Sequence, residues 1–284
     1  MRETTPEEIF FRGDPLKELQ HIQLELLIEL DRICRKHDIP YCLNSGTLLG
    51  AQRHGGFIPW DDDIDVDMLR PDYERFCKVC EEELDQEQYF LQNFHTDPPY
   101  RWGYAKLLKN GTGLVRYHQE HLKQRQQVFI DIFPLDGVPA HKPGQLFQWF
   151  LALFLRKMGY SEIGKYYGKN AFTRMWYRFL NLFPSDLPNR GYLWMARRWP
   201  AGNRRELSSF TYAMRPFHYY TIDGRQAPED ILFEGVPVKA MPEPYRTNTL
   251  EALFGPDWGQ LPPEESRIGH NTVSSYDFGE GRKP

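Results

Sequence analysis

Near the start of the chain, apolar residues recur at helical spacing. Leu16, Leu19, Ile22, Leu26, Leu27, Leu30, Ile33 and Cys34 make one stripe, interrupted by a single polar residue, Gln23. Asp14-Pro15 predicts the start of this helix, with Asp14 as cap, and Pro40 its end. A short strand is expected at 41–44, a turn at Ser45-Gly46-Thr47 and one or two helical turns over 48–53. The alternation Asp63-Ile64-Asp65-Val66-Asp67-Met68 predicts a strand. Its Ile64, Val66 and Met68 enter the core, and Asp63, Asp65 and Asp67 share the other face. Pro71-Asp72 opens a helix to about Leu84, and short strands follow at Tyr89–Gln92, 104–108, Gly113–Arg116 and 128–133. Residues 144–158 and 171–183 read as aromatic-rich helices, and frequent Pro and Gly after Pro216 predict irregular chain. The pattern is α+β. It divides into a mixed-sheet core over residues 1–139, a helical basic and aromatic subdomain over 140–218, and a loop-rich segment over 219–284 that packs on the core.

Composition adds two points. At 284 residues, 40% hydrophobic and 15% aromatic, the chain can bury a substantial core. Its net charge of −4 conceals an asymmetry: residues 140–218 carry 13 Lys/Arg against 3 Asp/Glu, and the remainder is strongly acidic. A basic segment of that kind can face anionic phosphate or a membrane surface, or dock on an acidic core. No nucleic-acid partner is expected. The N-terminus lacks an apolar signal region, and the longest apolar block, Trp149 to Leu155, is far short of the ~20 residues of a spanning helix. The expectation is a cytoplasmic protein. Cys77-Lys78-Val79-Cys80 lies in a predicted helix without a second pair at zinc spacing, so the cysteines read as structural.

The candidate chemistry lies in Trp60 to Met68, where five carboxylates fall within seven residues. An ordered cluster of this density requires a cation, and hard oxygen ligands suit Mg²⁺ or Mn²⁺. Before it, Ser45-Gly46-Thr47-Leu48-Leu49-Gly50 runs a small-residue turn into a helix, where free N–H groups can hold phosphate. After it, Asp131 sits in the apolar strand Val128-Phe129-Ile130-Asp131-Ile132-Phe133. A lone carboxylate there costs several kcal/mol unless paired or bound to metal. Phosphate turn, carboxylate pair and later third carboxylate form the pattern of a nucleotidyltransferase. In that reading Asp63 and Asp65 bind both of two metals, and Asp131 binds the one nearest the acceptor and helps deprotonate the incoming hydroxyl. An EF-hand register fails because Met68 falls where glycine is required, and neither a Walker A loop nor GxGxxG is present. The alternatives are a DxD glycosyltransferase using a nucleotide-sugar, a nucleotidyltransferase proper, or a non-catalytic glycan- or nucleotide-binding protein.

Several stretches together resemble the LicD family: Ser45 to Ala51, Arg53-His54, Gly56 to Asp65, Ala105-Lys106-Leu107, Asp131 to Asp136, Phe233 to Val238 and Phe254 to Trp258. That family includes bacterial phosphocholine transferases and is related to the fukutin and fukutin-related ribitol-phosphate transferases. The resemblance implies a nucleotidyltransferase-like fold and transfer of a phosphoalcohol from a CDP-linked donor such as CDP-choline. The acceptor would be a hydroxyl of a cell-surface glycan, such as lipopolysaccharide or teichoic acid, or of its lipid-linked precursor, and CMP would leave. Carried over residue by residue, it makes Asp63, Asp65 and Asp131 the metal ligands, Ser45, Gly46 and Thr47 the phosphate turn, and Asp61 and Asp62 supporting residues. Arg53 and Lys106 are the candidates for neutralising the donor phosphates, while His54 and His270 read as structural or exposed. Asp67 departs from the family's pattern, which leaves open whether it assists the metal or faces solvent. The aromatics at 144–158 and 171–183 are expected to form the core of the helical subdomain. The alternative is a peripheral contact with the inner face of the membrane.

Overall fold

A computed structural model describes residues 8–202, 205–211, 220–269 and 271–279. In chain order the elements of the first half are β1 (Ile9–Phe10), α1 (Gly13–Lys36), β2 (Cys42–Leu43), α2 (Ser45–His54), β3 (Asp65–Leu69), α3 (Arg70–Glu83), β4 (Tyr89–Gln92), β5 (Ala105–Lys109), β6 (Gly113–Arg116) and β7 (Phe129–Gly137). Four helices follow: α4 (Lys142–Gly159), α5 (Ser161–Tyr167), α6 (Ala171–Leu180) and α7 (Leu187–Arg198). The chain then forms β8 (Glu206–Ser208), β9 (Tyr220–Thr221), β10 (Glu229–Phe233), β11 (Val236–Ala240), α8 (Tyr245–Phe254) and β12 (Thr272–Asp277).

The central sheet runs β2-β3-β7-β5-β4, with β8 and β9 continuing from the far half of β7. It is mixed: β3 and β7 are parallel, and β2, β5 and β4 join antiparallel. Alternation along β3 and β7 sends Val66, Ile130 and Ile132 to one face, all fully buried. The stripe of α1 covers that face through contacts with β5 and β7. Gln23, its polar exception, is also buried, and its Nε2 donates to the backbone carbonyl of Asp62 at 3.0 Å. One residue thus ties the core helix to the acidic loop. Asp14 is not the helix cap: α1 begins at Gly13 after an extended Arg12. All four cysteines are unpaired, and Cys77 and Cys80 lie in α3.

The tail departs from the expected irregular chain. β10 and β11 form a hairpin with positive φ at both Glu234 and Gly235, and β12 pairs with β6 and β1 in a second sheet. These elements clasp the core. Glu234 Oε1 accepts from the Phe57 amide at 2.9 Å, and Asn271 donates to Asp62 through its backbone and side chain. At Gly50 the loop passes so close that an added Cβ would lie 2.4 Å from the Gly56 carbonyl oxygen.

In the helical layer, Leu155 and Met158 of α4, Tyr177 and Leu180 of α6 and Tyr192 and Met195 of α7 form a small core. Trp199 and Phe210 join it, but most aromatics of 144–158 and 171–183 do not. Phe147, Phe150, Phe154, Trp176, Phe179 and Phe183 are all exposed. The expectation that they form the interior is therefore corrected: α4, α6 and α7 each bury one stripe, and their apolar residues extend beyond it.

Candidate active site

Three register partners cross the centre of the sheet. Lys106 on β5 faces Asp131 on β7, and Asp131 faces Asp65 on β3. Facing residues on neighbouring strands project to the same side, so the pleat brings two carboxylates and an ammonium together. Lys106 Nζ donates to Asp131 Oδ1 at 2.6 Å and lies 3.1 Å from the centre of the Phe129 ring. Both partners are buried. Burial pulls the Lys106 ammonium down to about 7, against the opposing pull of Asp131.

Asp63, Asp65 and Asp131 line one cleft of about 660 Å³. Phe133, Tyr104 and Arg116 share its sheet side, and Arg156, Lys157 and Tyr177 of the helical layer face them. Asp63 also accepts from Asn271 Nδ2 at 3.2 Å. Behind it, oxygens of Asp61, Asp62 and Asp63 lie within 4.8 Å of one another, close enough to share a cation. Asp61 and Asp62 are buried. Both Asp62 oxygens accept from Asn271, at 2.8 and 3.0 Å, and the Asp61 carbonyl accepts from Gln20 Nε2 at 2.9 Å. The acidic loop is thus held from both ends of the chain.

The small-residue turn is already helix, since α2 begins at Ser45 itself. Thr47 is buried, and its hydroxyl accepts from the Asp65 amide at 2.9 Å, which fixes the start of β3 against the start of α2. A Cβ on Gly46 would lie 3.0 Å from Asp61 Oδ2, so glycine lets the acidic loop approach the helix N-terminus. Arg53 does not line the cleft. Its Nη1 donates to the carbonyls of Trp258 and Gln260 at 3.1 and 2.8 Å. His54 is exposed beside the Trp60 ring, and His270 falls outside the described residues.

Asp67 neither faces solvent nor reaches the cleft-lining group. It is 1% exposed and meets the equally buried Arg225, whose Nη2 lies 3.1 Å from Asp67 Oδ2. Burial pushes its carboxyl up, against the pull of Arg225. Sequence reading missed Arg225, 158 positions away. It also missed Arg116, a cation ending β6 that lines the acidic cleft above the Phe129 ring. The Arg116 Nε is buried and makes no hydrogen bond among the described residues. A basic residue closing a short strand was the signal, but nothing local tells which way it points.

Residues 38–151, which include Asp63, Asp65, Lys106, Arg116 and Asp131, match the family described as LicD/FKTN/FKRP, nucleotidyltransferase domain. That stretch, which holds the three cleft carboxylates, is thus similar to the nucleotidyltransferase domain of the LicD family. One similar protein is the lipopolysaccharide cholinephosphotransferase LicD of Haemophilus influenzae, 38% identical over 125 residues, covering 44% of this chain and 45% of that one. Another is an uncharacterized protein of Rickettsia prowazekii, 44% identical over 117 residues, covering 41% of this chain and 40% of the relative. The chain thus spans less than half the length of these curated relatives.

Proposed function

We propose that the cleft transfers a phosphoalcohol of the phosphocholine type from a CDP-linked donor to a hydroxyl of a cell-surface glycan or its lipid-linked precursor, releasing CMP. The single observation that carries this reading is the register-aligned row Lys106–Asp131–Asp65, whose two carboxylates line one cleft with Asp63 in the stretch that matches the LicD family. The Haemophilus protein, named a lipopolysaccharide cholinephosphotransferase, supports the phosphocholine and glycan parts. The parallel β3–β7 pair carrying the carboxylates, with helix α2 starting against it, is consistent with a nucleotidyltransferase-like core.

The ligand chemistry suits a hard divalent cation: Asp63, Asp65 and Asp131 are all carboxylates lining the cleft, and oxygens of Asp61 and Asp62 group with Asp63. Mg²⁺ or Mn²⁺ held there would reduce the charge on the donor phosphates and stabilise the leaving oxygen. The chain's own groups do the rest. Asp131 accepts the proton of the acceptor hydroxyl as its oxygen bonds to the distal phosphorus and the bond to CMP breaks. Lys106 and Arg116 supply positive charge to the donor phosphates from the sheet side. Asp61 and Asp62 hold the loop that presents Asp63. The proposed setting is the cytoplasmic face of the membrane.

The test is product analysis. The protein is incubated with CDP-choline, CDP-ethanolamine, CDP-ribitol or CDP-glycerol and glycan acceptors, with and without Mg²⁺ or Mn²⁺. Metal-dependent CMP is expected from one donor. Pyrophosphate from a nucleoside triphosphate would mark a nucleotidyltransferase, and UDP from a nucleotide-sugar a glycosyltransferase. No CMP from any pair, or full activity in Asp63→Ala, overturns the proposal.

A further inference from the structure

Exposed apolar side chains form a stripe on each of two neighbouring helices. On α4, Phe147, Phe150 and Phe154 are 56%, 55% and 42% exposed and fall three and four residues apart, so they share one side. On α6, Trp176 and Phe179 are 43% and 50% exposed, their rings are stacked at 5.7 Å, and Leu182 beyond the helix is 80% exposed. Scattered surface apolars need no explanation, but aromatic stripes of this size do. The inner sides of α4 and α6 are already occupied by their shared core, so the stripes do not serve folding.

The charge around them selects the occupant. Residues 142–198 contain ten Lys/Arg and only two Asp/Glu. Lys142, Lys169, Arg178 and Arg190 are exposed there. A second copy of the chain would bring the same positive charge against this face. An anionic bilayer supplies both an apolar interior for the rings and phosphates for the cations. No described helix is long and apolar enough to cross a membrane, so the contact is one of docking in the interface.

We propose that α4 and α6 seat the protein on an anionic lipid bilayer. The same helices contribute Arg156, Lys157 and Tyr177 to the cleft, so docking places the cleft beside the lipid surface. The proposal does not depend on the chemistry assigned to the cleft, because it is read by binding alone.

The full chain is floated with vesicles of phosphatidylcholine, with or without phosphatidylglycerol, at low and high salt. The variant Phe150→Ser/Trp176→Ser/Phe179→Ser is compared after its melting temperature is shown to be unchanged. The expected result is cofloating with phosphatidylglycerol vesicles that falls as salt rises and is at least about tenfold weaker in the variant. Absence of cofloating at low salt overturns the proposal, as does equal binding by the variant. A dimer in sedimentation that the variant dissolves also overturns it, because the face would then belong to a second copy.

Discussion

In the central sheet, apolar side chains fill the face under α1 and charged ones line a cleft on the other. In the layer from Lys142 to Arg198, the interior is thin and large rings stay outside. The two regions use apolar periodicity in opposite ways. On the sheet the informative residues are polar ones where burial is expected: Asp131, Lys106, Asp67 and Gln23 are all buried, and each has a named partner. On the helices the informative residues are apolar ones at exposed positions. Departures from the simple inside–outside pattern are where a sequence carries more than packing.

The contrast can be broken most strongly at Arg225. Arg225→Leu leaves the Asp67 carboxylate buried without its partner and should cost about 3–5 kcal/mol. The double variant Asp67→Leu/Arg225→Leu should recover most of that, as urea unfolding would record. If the single variant is harmless, Asp67 is not a structural residue. Next in size is Gly50→Ala, whose methyl group meets backbone rather than a movable side chain. A loss of about 1–3 kcal/mol is expected, measured by the same unfolding curves. Asn271→Ala should cost about 1–2 kcal/mol by leaving Asp62 short of donors. It should also lower turnover through looser placement of Asp63, and turnover at wild-type level would show that the clasp is not needed. Smallest is the helical layer: Phe150→Ser, Trp176→Ser or Phe179→Ser should each change stability by no more than about 0.5 kcal/mol. A larger loss in thermal melts would mean that these rings belong to the core after all.

What could be read in the sequence was local. The strands Tyr89–Gln92 and Gly113–Arg116 and the helices near 144 and 171 follow from periodicity alone, and the structure holds them there. The alternation from Asp63 correctly buried Ile64, Val66 and Met68. It could not separate Asp65 from Asp67, because their partners, Asp131 and Arg225, are set by strand order and by a segment more than a hundred residues away. The tail was misread because its Gly and Pro suggest loops. Glu234-Gly235 closes a tight hairpin without the usual Asn-Gly signal, and Pro237 sits inside β11. Thr47, expected in the phosphate turn, also fixes the Asp65 amide, a bond visible only once α2 and β3 lie side by side.

In the proposed mechanism Asp63, Asp65 and Asp131 act as one oxygen-ligand set, while Asp67, two residues from Asp65, takes no part. Calorimetric titration of Mn²⁺ into the full chain with CDP-choline present tests this directly. Wild-type protein should bind Mn²⁺, and Asp65→Asn should weaken that binding by at least about tenfold, ~1.4 kcal/mol, with an unchanged melting temperature. Binding of equal strength in the folded Asp65→Asn variant, or no Mn²⁺ binding by the wild type, would contradict it.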